Sequence, residues 1–550
     1  MSMADADVII VGSGLAGLVA ASEAVARGKK VLLLDQEGPQ SIGGQAFWSL
    51  GGLFMIDTPE QRRMGIRDSH ALARTDWLGS AQFDRAEDEN PRKVADAFLD
   101  FAAGEMRPWL SSIGMRWFPV VGWAERGGEM AHGHGNSVPR FHVTWGVGPG
   151  VVAPFEHMVK EAEKAGKLTM GFRHKVTGLI VEGGVVKGVE GSILADDNAE
   201  RGRSTNREVK GDFSYRAEAV VLTTGGIGGD HDMVRRYWPE DRLGKAPKRM
   251  VAGVPDYVDG QMQRVAEGAG AAIINGDRMW HYTEGLANWD PIWPNHGIRI
   301  LPGPSSMWFD ALGQRMEAPY LPGFDSLGTL KRILSTGHEH SWFILTQKII
   351  EKEFALSGSE QNPDLASGKW SEVLKSRIAS KGAPAPVEAF KQHGEDFVVA
   401  DDLAALVEGM NKITPDVPLD VTKIRTQIEA RDMQIDNPFS KDAQVTAIRG
   451  ARQYRGDKLI RTAKPHKILN PDNGPLIAVR LNILTRKSLG GLHTDLGGQV
   501  LKPDGSAFQG LFAAGEVAGF GGGGYHGYNA LEGTFLGGCI FSGRAVGRSV

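Results

Sequence analysis

The chain opens on a short apolar run, Val8-Ile9-Ile10-Val11, that meets Gly12-Ser13-Gly14-Leu15-Ala16-Gly17. Alanines then recur at helical spacing (Ala20, Ala21, Ala24), and a second apolar run, Val31-Leu32-Leu33-Leu34, ends at Asp35-Gln36. This pattern predicts strand, glycine turn, helix and strand over residues 5–36. Each part has a use in holding a dinucleotide. Gly12 permits the tight turn, Gly14 lets the backbone approach a pyrophosphate, and Gly17 lets the helix pack close to the strand. The helix start, with Ser13 and Ala16, offers free N–H groups and a positive dipole end to phosphate. Asp35 can accept hydrogen bonds from the ribose hydroxyls.

A second glycine-rich loop follows, Ser41-Ile42-Gly43-Gly44-Gln45-Ala46-Phe47-Trp48-Ser49-Leu50-Gly51-Gly52. Helical patterns occupy 60–75 and 91–113. Residues 114–150 are rich in Gly, His, Trp and Pro and read as loops lining a site. A helix at 151–166 leads to short strands over 168–191, with a turn at Gly183-Gly184. The polar stretch 195–212 reads as an exposed hairpin tip. Ala217 to Gly226 reads as a buried strand entering a glycine turn at Thr223-Thr224-Gly225-Gly226.

From about residue 277 the pattern changes. Trp, Pro and Tyr are dense to 324, and mixed helices run from 325 to 460. The last 80 residues return to strands and glycines, with Gly510–Glu516 as strand and turn, and helical spacing after Asn529. The expected organisation is a first domain from 1–276 and 471–550, interrupted by a capping domain at 277–470.

Composition narrows the class. Hydrophobic residues at 41% and charged residues at 23% are ordinary for a globular protein. A net charge of −4 argues against nucleic acid or an anionic membrane surface as partner. The single cysteine, Cys539, excludes an internal disulfide and a cysteine-ligated cluster. No transmembrane segment and no basic signal region is legible, so a cytoplasmic location is the expectation. No metal site is expected: His132 and His134 lack acidic or cysteine partners at ligand spacing.

Four blocks together resemble the FAD-dependent fumarate reductase/succinate dehydrogenase flavoprotein superfamily, and within it the 3-ketosteroid dehydrogenase-like members. They are Gly12–Asp35, Gly43–Gly52, Leu222–Gly226 and Gly510–Gly543, joined by Ser488-Leu489-Gly490-Gly491. The resemblance implies a glutathione-reductase-type, Rossmann-like α/β FAD-binding domain with an inserted α+β cap, the substrate held between them. It implies FAD contacts at Gly12, Ser13, Gly14, Ala16, Gly17, Asp35 and Gln36, at Gly43, Gly44, Gln45, Ser49, Gly51 and Gly52, and at Val176. Further contacts are implied at Thr223, Thr224 and Gly225, at Gly515 and Glu516, and at Ala530, Gly533, Thr534 and Phe535. Glu516 is expected on the ribityl hydroxyls, and a helix starting near Gly533 at the flavin N1–C2=O edge, where its dipole favours the anionic reduced ring. Gln45 falls where relatives carry a histidine bonded to FAD; Gln cannot form that bond, so noncovalent FAD is expected.

The same resemblance bears on the chemistry. The arginines of the fumarate-reducing relatives are missing: Ala318-Pro319-Tyr320 and Tyr528-Asn529-Ala530 stand at the expected places. Pro319-Tyr320 resembles the ketosteroid dehydrogenase segment that holds a tyrosine base, and Tyr528 or His526 could donate to the ketone oxygen. Tyr525 and His493 are rivals. His281 and Tyr282, at the crossing into the cap, are candidates to line the pocket. So are Arg140, His142 and the tryptophans Trp280, Trp289, Trp293 and Trp308. Arg449, Arg452 and Tyr454 suggest a solvated basic face.

The function expected is hydride movement between a flavin and a C–C bond next to a carbonyl, on a bulky apolar ketone. Reduction of an activated alkene, as in fumarate or urocanate reductases, is the alternative. A flavin-binding redox sensor without turnover is the alternative of another class. A small-molecule substrate is expected, and no electron partner can be assigned.

Overall fold

A computed structural model describes residues 5–123, 125, 135–377 and 382–550. Two sheets organise the chain. The first has six strands in the order Gln499–Leu501, Ala507–Ala513, Ala219–Leu222, Val8–Val11, Val31–Leu34, Leu168–Gly171. All pair in parallel except the edge strand Gln499–Leu501. Residues 8–11 are buried without a break, because helices or a second sheet layer cover both faces.

The register fixes where ligand can enter. Val11 lies opposite both Leu34 and Leu222, and Leu222 opposite Ala513. Four parallel strands therefore end at one level, and the turns that follow them all open at the same rim. The helix Leu15–Ala26 packs against the C-terminal helix Thr534–Ser549. A Cβ on Gly543 would lie 2.6 Å from the Ala16 carbonyl oxygen, so glycine there permits the close approach. The C-terminal helix thus packs on the N-terminal strand–helix–strand unit.

A three-stranded antiparallel layer, His174–Glu182, Val185–Leu194 and Val209–Arg216, sits beside the parallel sheet. Gly183 and Gly184 both have positive φ, which suits the twist of a two-residue hairpin. The polar stretch 195–212 spans the connection from Val185–Leu194 to Val209–Arg216, and much of it is exposed. Arg201 stacks on Phe47 at 3.7 Å and donates to the Ile42 carbonyl at 2.6 Å, so it folds back over the second glycine loop.

The second sheet has eight strands. Its central run is Met307–Asp310, His340–Thr346, Leu476–Ser488, Met279–Ala287, Gly297–Leu301 and Ala355–Leu356. Helices from the segment 326–460 build an apolar core on it, with Trp342, Phe343, Leu406 and Ile424 fully buried. Leu476–Ser488 lies on the C-terminal side of the expected boundary at 470, yet it pairs with four strands of this sheet. Its last residue, Ser488, reaches the first domain, where its N–H donates to Glu516 at 2.8 Å. Among the described residues no helix is long and apolar enough to cross a membrane.

Candidate active site

The turns after the parallel strands open into a cavity that reaches from Gly12 and Asp35 to the cap residues Tyr282 and Arg299. Of the residues expected at FAD, all but Ser13, Gly17, Ala530 and Thr534 line it. Those four act from behind. Ser13 donates from its N–H (2.8 Å) and its Oγ (2.6 Å) to Asp35, which holds that carboxylate at the rim. A Cβ on Gly17 would sit 2.0 Å from the Gly12 carbonyl oxygen, the close helix–strand contact the motif requires. Thr534 binds His526, and Ala530 lines a smaller neighbouring cavity.

The lining suits FAD on structural grounds. At Gly14 a Cβ would meet nothing nearer than the Thr223 oxygen at 3.9 Å, so the protein itself does not demand glycine there. Glycine there leaves the backbone open to a ligand. Gly14 and Gly533 are the N-caps of the two helices, neither has a side-chain cap, and both face the cavity. Two uncapped helix N-termini at one cavity suit a pyrophosphate and an electron-rich ring. Thr223 braces the first turn, its Oγ1 donating to the carbonyls of Val11 (2.9 Å) and Gly12 (2.8 Å). Gln45 donates to Glu516 at 3.0 Å and accepts from Lys487. Glu516 is therefore oriented by Gln45 and the Ser488 N–H, with Lys487 Nζ 3.7 Å away. Burial lowers the Lys487 ammonium, and Glu516 works against that drop.

The residues singled out for catalysis are placed elsewhere. Tyr320 is half-buried and packs against the cap core rather than the cavity. Tyr528 donates to Asp84 (3.0 Å) and lies under the guanidinium groups of Arg278 (4.0 Å) and Arg242 (4.2 Å). His526 is fully buried, 2.8 Å from Thr534 Oγ1 and stacked on Trp77, and burial alone holds its imidazole far below the usual range. Tyr525 is also fully buried and donates to the Thr534 carbonyl. His493 contacts Asn90, while Arg140 pairs with Asp68 and Asp76 in the core. His142 bonds Thr58, and Trp293 and Trp308 donate to Ala252 and Ser341. Trp289 is exposed and Trp280 lines the smaller cavity. Arg449 clamps carbonyls at 435–438 and is no solvated basic face. His132 and His134 lie outside the described residues.

Three adjacent strands of the cap sheet supply what those residues do not. Arg486 comes from Leu476–Ser488, Tyr282 from Met279–Ala287 and Arg299 from Gly297–Leu301, and all three line the cavity. Strand alternation separates Tyr282 from its neighbour His281, whose ring lies 4.8 Å from Trp238 away from the cavity. The Tyr282 hydroxyl has no hydrogen-bond partner among the described residues. Burial and the Glu532 carboxylate push its phenol above the ordinary range, while Arg299 and Arg486 oppose them. Arg299 lies 3.8 Å over the Tyr282 ring, pairs with Glu532, and has Glu125 3.8 Å away. Burial drives Glu125 well above the usual carboxylate range, so Glu532 carries the compensating charge. The signal for Arg299 was present: it is the one charge in the apolar strand Gly297-Ile298-Arg299-Ile300-Leu301. Arg486, Lys487 and Glu532 gave no comparable sign.

The family described as "FAD binding domain" matches residues 7–536. A KsdD-like steroid dehydrogenase of Mycobacterium tuberculosis (strain CDC 1551 / Oshkosh) is 58% identical over 99% of this chain and 95% of its own length. A KsdD-like steroid dehydrogenase of Mycolicibacterium smegmatis is 59% identical over 97% of this chain and 96% of its own. In fold, the chain is similar to the 3-ketosteroid Δ1-dehydrogenase of Sterolibacterium denitrificans, with a TM-score of 0.65 at 17% identity, covering 99% of each chain. The 3-ketosteroid-Δ4-(5α)-dehydrogenase of Rhodococcus jostii RHA1 gives a TM-score of 0.62 at 20% identity, covering 100% of this chain and 98% of that one. With its glycine turns, its two uncapped helix starts and a match over nearly its whole length, the chain belongs to the FAD-binding-domain family of flavoprotein oxidoreductases.

Proposed function

We propose that this enzyme moves a hydride and a proton between FAD and a CH–CH bond next to the carbonyl of a bulky apolar ketone, with Tyr282 as the residue that carries the proton. One observation carries the residue assignment. Tyr282 brings an unpartnered hydroxyl into the cavity, with an arginine on the neighbouring strand at either side. Bound FAD would supply the hydride acceptor. In the direction that reduces FAD, Tyr282 would take the proton of the carbon next to the carbonyl, ionising beside Arg299 and Arg486, and in the reverse direction its phenol returns that proton. Arg299 and Arg486 stabilise negative charge that develops beside it, in a site where burial strengthens each interaction. The names of the relatives at 58–59% identity, KsdD-like steroid dehydrogenases, support a steroid-like ketone.

The test is anaerobic rapid mixing of the FAD-loaded protein with 3-ketosteroids and simple cyclic ketones. Loss of the flavin band with a ketone, slowed in Tyr282→Phe, supports the reading. No loss with any ketone, together with reoxidation of the reduced protein by activated alkenes, moves the assignment to an ene-reductase. Bleaching that Tyr282→Phe leaves untouched removes the residue and keeps the reaction.

A further inference from the structure

Arg486 stands in the cavity wall without a partner. Arg299 has Glu532, and Lys487 has Glu516 at 3.7 Å. Arg486 has no ion pair and no hydrogen bond among the described residues, and its Nε is buried without a partner. Glu360 belongs to its electrostatic surroundings, but burial pushes that carboxyl up to about 7, and its own Oε2 is buried without a partner. Tyr282, His296 and Lys487 also feel Arg486. At rest none of them is a standing counter-charge: burial raises the Tyr282 phenol and depresses His296.

A guanidinium held in a cavity wall with no ion pair or hydrogen bond costs desolvation energy that an anion repays well. Guanidinium matches carboxylate through paired N–H donors, and Arg486 has its donors free. The position is also informative. Arg486 stands on the strand next to Tyr282, so an anion held there lies close to the reacting bond.

We propose that Arg486 is a specificity residue and that the substrate carries a carboxylate. This deepens the ketone reading and rests on it. The ligand class is an apolar molecule with a ring or chain filling the cavity and an acid group at Arg486. Tyr282 then works between the Arg486–carboxylate pair and Arg299.

The experiment is titration of the oxidised FAD-loaded protein, followed by the perturbation of the flavin absorption band. Two matched pairs serve as probes: a 3-oxo-4-ene steroid with a side-chain carboxylate against its methyl amide, and trans-cinnamate against cinnamamide. The acid of at least one pair is expected to bind about tenfold or more tightly, as a charge-assisted pair replaces a neutral contact. Arg486→Gln should abolish the preference and Arg486→Lys should keep part of it. The wild-type comparison needs no variant, so a misfolded variant does not protect the idea. Equal affinity within both pairs overturns it. So does a preference for acid that survives in folded Arg486→Gln. If Arg486→Gln changes the free flavin spectrum while wild type shows no acid preference, the guanidinium serves the flavin and the inference fails. The two readings fail separately: acid preference without bleaching by any ketone sinks the ketone chemistry alone, and bleaching by neutral ketones without acid preference sinks the carboxylate alone.

Discussion

The guanidinium carbon of Arg299 sits 3.8 Å from the centre of the Tyr282 ring. Glu532 holds the arginine there, and the ring's hydroxyl is left to the cavity. A fixed cation over the ring favours negative charge on the phenol oxygen, against the burial that opposes it. The arrangement is that of a proton carrier whose cost of ionisation is partly offset in advance.

Tyr282→Phe should therefore lower the rate of flavin reduction by roughly 10²–10⁴-fold, the usual worth of a positioned proton carrier. FAD content should not change, since the hydroxyl supports no part of the fold. Tyr320→Phe should behave as wild type, because Tyr320 packs on the cap core. Stopped-flow reduction of the two variants side by side decides between the tyrosines. A large loss in Tyr320→Phe alone would reverse the assignment.

Removing one partner of the Arg299–Glu532 pair should be costly. Both side chains are under a tenth exposed, and Glu532→Ala strands a buried guanidinium at a cost of about 3–5 kcal/mol. The double variant Arg299→Met/Glu532→Leu removes both charges and should recover most of that loss. Urea denaturation midpoints of the single and double variants measure it. A double variant as unstable as Glu532→Ala would mean that the pair is not what holds this corner.

How much of this could be read from the chain depends on sequence distance. The dinucleotide end was legible because Gly12, Gly14, Gly17 and Asp35 lie within one strand–helix–strand unit and need only local geometry. The C-terminal return was legible because Gly515–Glu516 and Gly533 repeat that strand-and-turn chemistry. The cap side was not. Tyr282 reaches the cavity because its strand pairs with Leu476–Ser488, Tyr282 opposite Leu484, a contact spanning some two hundred residues. Pro319-Tyr320 resembles a catalytic segment, yet Tyr320 packs against the cap core. Arg299 and Arg486 reach the cavity from other strands, and no local motif announces them.

Two glycines of one motif should fail in different ways. Gly14→Val places a side chain where only the Thr223 oxygen is near, at 3.9 Å for the first carbon, so the fold should persist while FAD is lost. Gly17→Val drives its Cβ to 2.0 Å from the Gly12 carbonyl oxygen and 2.7 Å from Thr223 Oγ1, so the helix must shift from the strand. That overpacking should cost on the order of 1–3 kcal/mol or more, before any question of cofactor arises. Flavin content and the thermal midpoint of the cofactor-free proteins separate the two. Equal midpoints with equal flavin loss would show that the motif acts on the ligand alone.

The last prediction concerns acid. His142 is fully buried, with Nε2 2.8 Å from Thr58 Oγ1 and Nδ1 2.8 Å from the Arg140 carbonyl. A carbonyl only accepts, so Nδ1 carries the hydrogen and Nε2 accepts from the threonine hydroxyl: the ring is neutral. Burial lowers its pKa from 6.5 to about 4, against the pull of Glu60 and with help from Arg107. The folded state therefore refuses a proton that the unfolded chain takes up near pH 6.5. Stability from this residue is complete above that pH and is lost progressively as pH falls towards 4, by about 3 kcal/mol in total. His281, His296 and His340, also depressed by burial, add to the same slope. Unfolding free energy measured from pH 7.5 to 4 should fall less steeply in His142→Gln than in wild type, even though the variant starts lower. Parallel slopes would mean that His142 takes up its proton without leaving the folded state, and that the Thr58 and Arg140 contacts rearrange to admit it.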